Sequence, residues 1–566
     1  MAVKLGARNT IRSGPWSGVV NTPDPFDGGP DKLLDARNTY IPAPDDKADV
    51  FERPGFTVLN GGAPVYASAT AFKGQGTWTH YDLNGTPYNF AAFGGHLFLE
   101  DSSTGLFTDV TPSGVTIDGS TETRVYFASM GGVMMVTDGV NRPWVASDLA
   151  SVPITGTYID FDSNGTAWNT FGVPVVFGGS GFVILRSYNG VAARLSIAWS
   201  ETNDWTTGWQ QTDFDNVWTL EQTGTTPITG LAPTNVALYY WRQRSIGSIS
   251  GTVGPDLAST ATHDVITTNV GTEAPQTIVQ FGDTIFFCDV IGRPWSFTLG
   301  SAPTPIWQQL RGIVDVSSTA FAGITAIVAT ASFEPTLNLY CVAIWSPVPS
   351  NEASPVVFQT FDAQTGNYLG QWSIGPNVDG VSIDCLGSFI DDQGRGTLVV
   401  LGSLVTGGAT GYAWSMSDLV GVPDFLTTAD AIPVFLTTAD TPPIFLTTAG
   451  QGAIWMDNGD VPLVYAQTDR LGYSEDVVWL YDQATLLTGN QSPVAVTVTT
   501  PNAANVLEGT PTPNTSADGV YRTQMGLDLQ GRGAMVTVGP TTADSQWSLS
   551  RVTVVGIPNP AAQDDS

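Results

Sequence analysis

Basic residues are scarce in this chain. It has 21 Lys and Arg among 566 residues against 52 Asp and Glu, a formal net charge of −31. Phosphate contacts need Lys and Arg, so this balance excludes a protein that wraps nucleic acid. It does not exclude proximity to DNA, because a wall of like charge repels a polyanion and lets it slide past without sticking. The plainest use of such acidity is a soluble surface. Cysteine is almost missing. Cys288, Cys341 and Cys385 are odd in number and widely spaced, which gives neither a disulfide framework nor a zinc signature, and each lies in an apolar run that suits a small buried hydrophobe. Histidine is limited to His80, His96 and His263, none in a recognisable nucleophile arrangement. No G-x-S-x-G elbow, H-E-x-x-H helix or repeated sialidase-type S-x-D-x-G-x-T-W turn occurs. Met1 to Ser13 has no apolar core, and no run of about 18 apolar residues exists. The expectation is a chain made in the cytoplasm without a secretory signal or a membrane span. Long stretches of 3.6-residue periodicity are missing too.

What is plentiful is punctuation and aromatic weight: 62 Gly and 37 Pro, with 17 Trp, 16 Tyr and 26 Phe. Breakers between short runs of Val, Ile, Phe, Tyr and Trp predict an all-β protein. One phrase recurs. Phe93-Gly94-Gly95-His96-Leu97-Phe98-Leu99-Glu100-Asp101 is echoed by Met130-Gly131-Gly132-Val133-Met134-Met135-Val136-Thr137-Asp138 and by Phe281-Gly282-Asp283-Thr284-Ile285-Phe286-Phe287-Cys288-Asp289. Two copies continue alike, as Asn141-Arg142-Pro143-Trp144 and Gly292-Arg293-Pro294-Trp295, and looser copies follow Gly178-Gly179 and Asn235. Each reads as a Gly hairpin entering a buried strand. Gly94 to Gly131 spans 37 residues, and Gly131 to Gly178 and Asn235 to Gly282 each span 47. Periods of roughly 40–50 residues, each with four strands' worth of pattern, suit β-propeller blades.

In order, residues 1–60 read as an extended N-terminal arm, with apolar islands at Trp16, Val19-Val20, Leu33-Leu34 and Tyr40-Ile41. Residues 61–420 read as a β-propeller of about seven blades, six to eight being compatible, in units near 77–112, 121–150, 171–205, 226–255, 276–310, 324–372 and 378–416. The gaps near 155–170 and 206–225 read as insertions. Residues 421–454 hold a ten-residue repeat, Phe425-Leu426-Thr427-Thr428-Ala429-Asp430 recurring from Phe435 and from Phe445 to Gly450, which predicts one strand and one turn per unit. Residues 455–566 read as a C-terminal β-sandwich, with clear alternation in Val494 to Val498.

The best metal candidate is Asp160-Phe161-Asp162-Ser163-Asn164-Gly165, the first half of a calcium loop. Phe171 stands at the twelfth position where a bidentate acid belongs, so an Asx-rich surface turn is the better reading. Among the aromatics, Trp199, Trp205 and Trp209 offer either a sugar-binding platform or, more simply, core packing. Paired carboxylates for glycoside cleavage are compatible with so many acids, but no pair stands out. The expectation is therefore no catalytic residue, no cofactor and no metal.

Four stretches resemble the tail nozzle and head-completion proteins of short-tailed bacteriophages, a family of β-propeller proteins at the exit of the DNA channel. They are Asn38-Thr39-Tyr40 with Arg53-Pro54-Gly55-Phe56; Ala198-Trp199-Ser200-Glu201-Thr202-Asn203-Asp204-Trp205; Gln280-Phe281-Gly282-Asp283-Thr284-Ile285-Phe286-Phe287; and Thr468-Asp469, Val477-Val478-Trp479-Leu480 and Trp547-Ser548-Leu549-Ser550-Arg551-Val552. The Phe425–Gly450 repeat has no place in that pattern. The resemblance implies a structural, non-enzymatic component of the virion tail or neck. It implies a sixfold homo-oligomeric ring below the portal and adaptor, with tail fibres or spikes as further neighbours, that gates DNA ejection while genomic double-stranded DNA passes without specific binding. The alternative is a receptor-binding or glycan-binding or -cleaving propeller.

Overall fold

A computed structural model describes residues 9–13, 33–41, 50–149, 152–159, 170–188, 191–206, 216–220, 226–254, 257–306, 329–344, 357–374, 381–391, 393–404, 410–416, 435–436, 444–445, 465–468, 479–488, 494–500, 503–509, 512–513, 521–531, 534–540 and 548–558. The calcium-loop candidate Asp160–Gly165, Trp209 and all of the ten-residue repeat except two short paired strands, Phe435–Leu436 and Ile444–Phe445, lie outside these residues. The chain divides into two compact units: Val58–Gly366 with Asp379–Ser415, and Met1–Thr57 with Asn367–Val378 and Met416–Ser566.

The first unit is all-β with a seven-bladed propeller arrangement. Its blades start from the innermost strands Gly74–Tyr81, Tyr126–Met130, Thr170–Phe177, Ile228–Pro233, Val279–Phe281, Ala329–Glu334 and Val381–Ile390. Each pairs antiparallel with the strand that follows it in sequence, as a meander requires. The apolar core lies between blades. Phe90 and Leu97 of blade one meet Met134 and Trp144 of blade two, and Tyr239 and Trp241 of blade four meet Phe287 and Phe297 of blade five. Between blades five and six, Phe286 stacks on Tyr340 with ring centroids 4.9 Å apart. All three cysteines are buried, as the apolar runs around them suggest.

The recurring phrase occupies two different places. Gly131-Gly132 and Gly282-Asp283 join the first and second strands of blades two and five. Gly94-Gly95 joins the second and third strands of blade one. The 37-residue step is therefore a shift of phase by one strand, not a short blade. The hairpins at Gly94-Gly95 and Gly131-Gly132 hold both central residues at positive φ (61° and 76° at Gly131 and Gly132), whereas at Gly282-Asp283 only the glycine does (φ 56°), the two patterns that two-residue hairpins use. The acidic residue that closes each phrase has a local job. The Asp289 carboxylate accepts the backbone N–H groups of Ile291 and Arg293 and the Arg293 guanidinium. Asp391 does the same with Gln393 and Arg395 in blade seven. These are Asx turns that start the next strand.

Two expected insertions instead hold outer strands. Thr157–Tyr158 is the fourth strand of blade two and Val217–Thr219 the fourth of blade three. The fourth strand of blade four, Thr262–Thr267, also lies beyond the expected unit. These outer strands are only partly buried, and two of them span just two or three residues, so hydrophobic pattern does not mark them.

The circle closes where blade seven meets blade one. Tyr66–Ala67, from before the first blade, pairs with Thr410–Met416 and completes blade seven. The Asn89 amide donates to the Ile390 carbonyl (2.7 Å) and accepts from the Ile390 N–H (3.1 Å). The Arg124 guanidinium reaches the carbonyls of Gly74 and Asp384.

In the second unit the N-terminal strands are woven into C-terminal sheets. Asn9–Ser13 and Val50–Glu52 pair with Ser548–Pro558, and Leu33–Arg37 pairs with Tyr465–Thr468. Alternate residues are buried, Val496 and Val498 in one sheet, Val552 and Val554 in the other. The Asn38 and Arg53 motif forms a buried knot. Arg53 Nε donates to Asn38 Oδ1 (2.9 Å), its Nη2 to the Ser373 carbonyl, and its plane lies 4.9 Å from the Phe56 ring centre.

Gly387 of blade seven lies against Thr77 of blade one so closely that a Cβ would overlap the threonine side chain. Gly387→Val is expected to lower unfolding free energy by about 1–3 kcal/mol in chemical denaturation. Gly254→Ala, where a Cβ meets open space, should change it by less than about 0.5 kcal/mol.

Candidate functional site

The innermost strands are the exposed edges of their blades, and they surround the propeller axis. At the start of these strands the axis is crossed. Gln276, just before the inner strand of blade five, donates from Nε2 to the carbonyl of Gln75 in blade one, 3.2 Å away. Beside this crossing lies a pocket of about 400 Å³, lined by residues on or just before the inner strands of blades one to five. Its wall includes Trp78, Phe127, Val176, Leu231 and Ile278, with Ser129 and Gln280 as its polar side chains. No Asp, Glu, Lys, Arg, His or Cys is among the lining residues.

Strand geometry builds the polar corner. Trp78 and His80 are two residues apart on one strand and so point to the same side, toward Ser129 on the neighbouring inner strand. Trp78 Nε1 donates to Ser129 Oγ at 2.8 Å, and Ser129 Oγ lies 2.7 Å from His80 Nδ1. His80 is fully buried. Burial pushes its pKa below the ordinary imidazole value, against opposing effects of the Asp82 carboxylate and the Gly132 backbone. With Nε2 assigned as the protonated nitrogen of the neutral ring, Nδ1 accepts and the serine hydroxyl donates to it.

The other expected sites resolve differently. Trp199 and Trp205 are core: Trp199 stacks on Phe182 with centroids 6.0 Å apart, and Trp205 packs over Gly181. Asn203, between them, has φ 57°, the left-handed turn that the W-S-x-x-N-D pattern encodes. His96 pairs with Asp109 on the surface at 3.0 Å, and His263 contacts the Tyr240 hydroxyl. The half-buried Glu100 and the buried Glu334 have pKa values raised by desolvation, and neither lines the pocket. Among the described residues no group of three or more His, Cys, Asp or Glu side chains could hold a metal ion. No helix there is long and apolar enough to cross a membrane. Sequence reasoning missed the Trp78, His80 and Ser129 cluster. Alternation between Trp78 and His80 was legible, but the 49-residue step to Ser129 depends on which strands become neighbours.

The sequence matches no family model and no curated protein. Among solved structures the chain is similar to an exo-β-1,3-galactanase from Phanerochaete chrysosporium bound to galactose (11% identity, 77% of this chain and 97% of that one, TM-score 0.25). It is similar to the C-terminal WD40 domain of Sif2 (10% identity, 74% and 100%, TM-score 0.33) and to the N-terminal domain of Nup159 (10% identity, 64% and 95%, TM-score 0.35).

Because burial holds the folded-state pKa of His80 below its unfolded value, the unfolded chain takes up a proton first as pH falls through about 6.5. His80 therefore supports the fold above that pH and progressively less below it. The stability advantage of the native protein over His80→Gln should shrink between pH 7.5 and pH 5 in denaturant titrations. An advantage that is constant or grows toward low pH contradicts this assignment. Ser129→Ala, which leaves the Trp78 N–H and His80 Nδ1 without their partner, should cost about 1–3 kcal/mol at pH 7.5.

Proposed function

We propose that this chain is a virion structural protein, a tail nozzle or neck component that assembles into a ring continuing the DNA-ejection channel below the portal and adaptor of a short-tailed bacteriophage. The observation that carries the reading is the order of the four resembling stretches along a chain of propeller architecture. Two of them are more than surface likeness. The Asn38 and Arg53 knot is fully buried, and the Trp199 to Trp205 turn is held by positive φ at Asn203 and by packing over Gly181. Residues so constrained specify a backbone path, so their joint presence supports a shared construction.

The propeller axis is not the conduit in this reading. Gln276 spans it, and its pocket is far too small for a duplex. DNA instead passes along the axis of the assembled ring. Six copies would bring 6 × −31 = −186 formal charges around it. A surface of that sign repels phosphate at short range and holds no sequence, which suits rapid exit without sticking. The role is mechanical, to stay rigid around the channel and to open on host contact. The second reading is a receptor- or glycan-binding propeller, for which the aromatic wall of the axial pocket is the supporting observation. Cleavage there is not supported, because glycoside hydrolysis needs two carboxyl groups and the lining has none.

Native mass spectrometry of the purified chain, or of the chain mixed with its neck partners, is expected to show a closed hexamer near 6 × 59.8 ≈ 359 kDa. Double-stranded DNA should leave that species unshifted even at low salt. A strict monomer or trimer under both conditions, or a stable DNA complex, overturns the proposal.

A further inference from the structure

The axial pocket has a chemistry of its own. Its lining carries no charge, although the chain holds 52 acids. An ionic guest would lose water there without gaining a counter-charge, which is strongly unfavourable. The body of the guest must therefore be uncharged, and the wall of Trp78, Phe127, Val176 and Leu231 suits an apolar, ring-bearing one.

The polar groups around it share one bias. Trp78 commits its N–H to Ser129, and Ser129 commits its hydroxyl hydrogen to His80, which leaves a serine lone pair. Gln280 donates to the Gly282 carbonyl at 3.1 Å and keeps its side-chain oxygen. Gln276, next to the lining residue Pro275, donates to Gln75 while its Oε1 is buried with no hydrogen-bond partner. Pro174, Pro233 and Pro275 bring no backbone N–H to the wall and stiffen it. The Trp78 N–H, the Ser129 hydroxyl hydrogen and one amide hydrogen each of Gln276 and Gln280 are committed, while Gln276 Oε1, Gln280 Oε1 and a Ser129 lone pair remain as acceptors.

We propose that this pocket is a binding site for a small uncharged molecule with an apolar, ring-bearing body and one N–H or O–H donor that bonds to Ser129 Oγ. The crossing at Gln276 makes the site blind at one end, so the guest enters from the face where the inner strands turn back at Asp82–Thr86 and Gly131-Gly132. The site belongs to a single propeller and does not depend on the tail reading or on ring assembly.

Diphenylamine and diphenyl ether are near-isosteres that differ in the donor, and N-phenylanthranilate adds a carboxylate to the former. In titration calorimetry of the native chain, diphenylamine should bind once per chain and saturate. It should bind roughly fivefold tighter than the ether, as one net hydrogen bond allows, and at least tenfold tighter than the anthranilate. Val176→Phe, which enlarges a lining residue, should weaken binding of diphenylamine at least about tenfold in a variant whose cooperative melt is verified, and Ser129→Ala should erase the preference for amine over ether. No saturable binding of diphenylamine overturns the site. Equal affinity for the ether overturns the donor rule, and equal affinity for the anthranilate overturns the uncharged class. These comparisons on the native chain decide the matter even if a variant fails to fold. A monomeric chain that still binds diphenylamine separates this inference from the proposed ring.

Discussion

A propeller stands or falls on closure. The other blades follow one another along the chain as complete meanders, but blade seven is assembled from both ends of the propeller sequence, so closure of the circle depends on this seam. Here three devices hold it. A strand from before the first blade completes the last one at Tyr66–Ala67. The Asn89 side chain bonds both backbone groups of Ile390, taking the place of a neighbouring strand. Gly387 lets its strand approach Thr77 more closely than any side chain would permit. The interblade cores, the axial pocket and the alignment of Trp78 with Ser129 all presuppose that this joint is shut, because an open ring would let the inner strands splay.

Much of this architecture was legible because its determinants are local. A Gly pair in the left-handed region between two strand-forming runs makes a two-residue hairpin, and an Asp with Arg four residues later makes the next turn through its own carboxylate. Those rules act over a handful of residues, so the phrase around Gly131 and Asp138 announced strands and turns correctly. The same locality explains the error of phase at Gly94. The turn chemistry states that a hairpin is present but not which pair of strands within a blade it joins. Outer strands such as Val217–Thr219 were taken for insertions because they bury one face at most and leave little apolar signature.

The site was much less legible. Trp78 and His80 were visible as an alternating pair, and Ser129 as one polar residue in an apolar run. Nothing in the spacing of 49 residues states that their strands lie side by side. Trp199 and Trp205 show the converse. Their turn pattern was readable, yet whether they faced solvent or core depended on Gly181 and Phe182 across the sheet, and these bury them.

By itself the sequence determined the all-β class, the hairpins, the burial of the three cysteines and a strongly acidic charge balance. Each follows from composition or from interactions within a few residues. Only the tertiary structure decided how the circle is sealed, that Gln276 blocks its axis, and that an uncharged, acceptor-rich pocket lies beside it. Those properties arise where five blades converge. Residues about two hundred positions apart meet there, as the Gln276 side chain and the Gln75 carbonyl do, and such meetings are fixed by the packing of whole sheets, not by any stretch of chain.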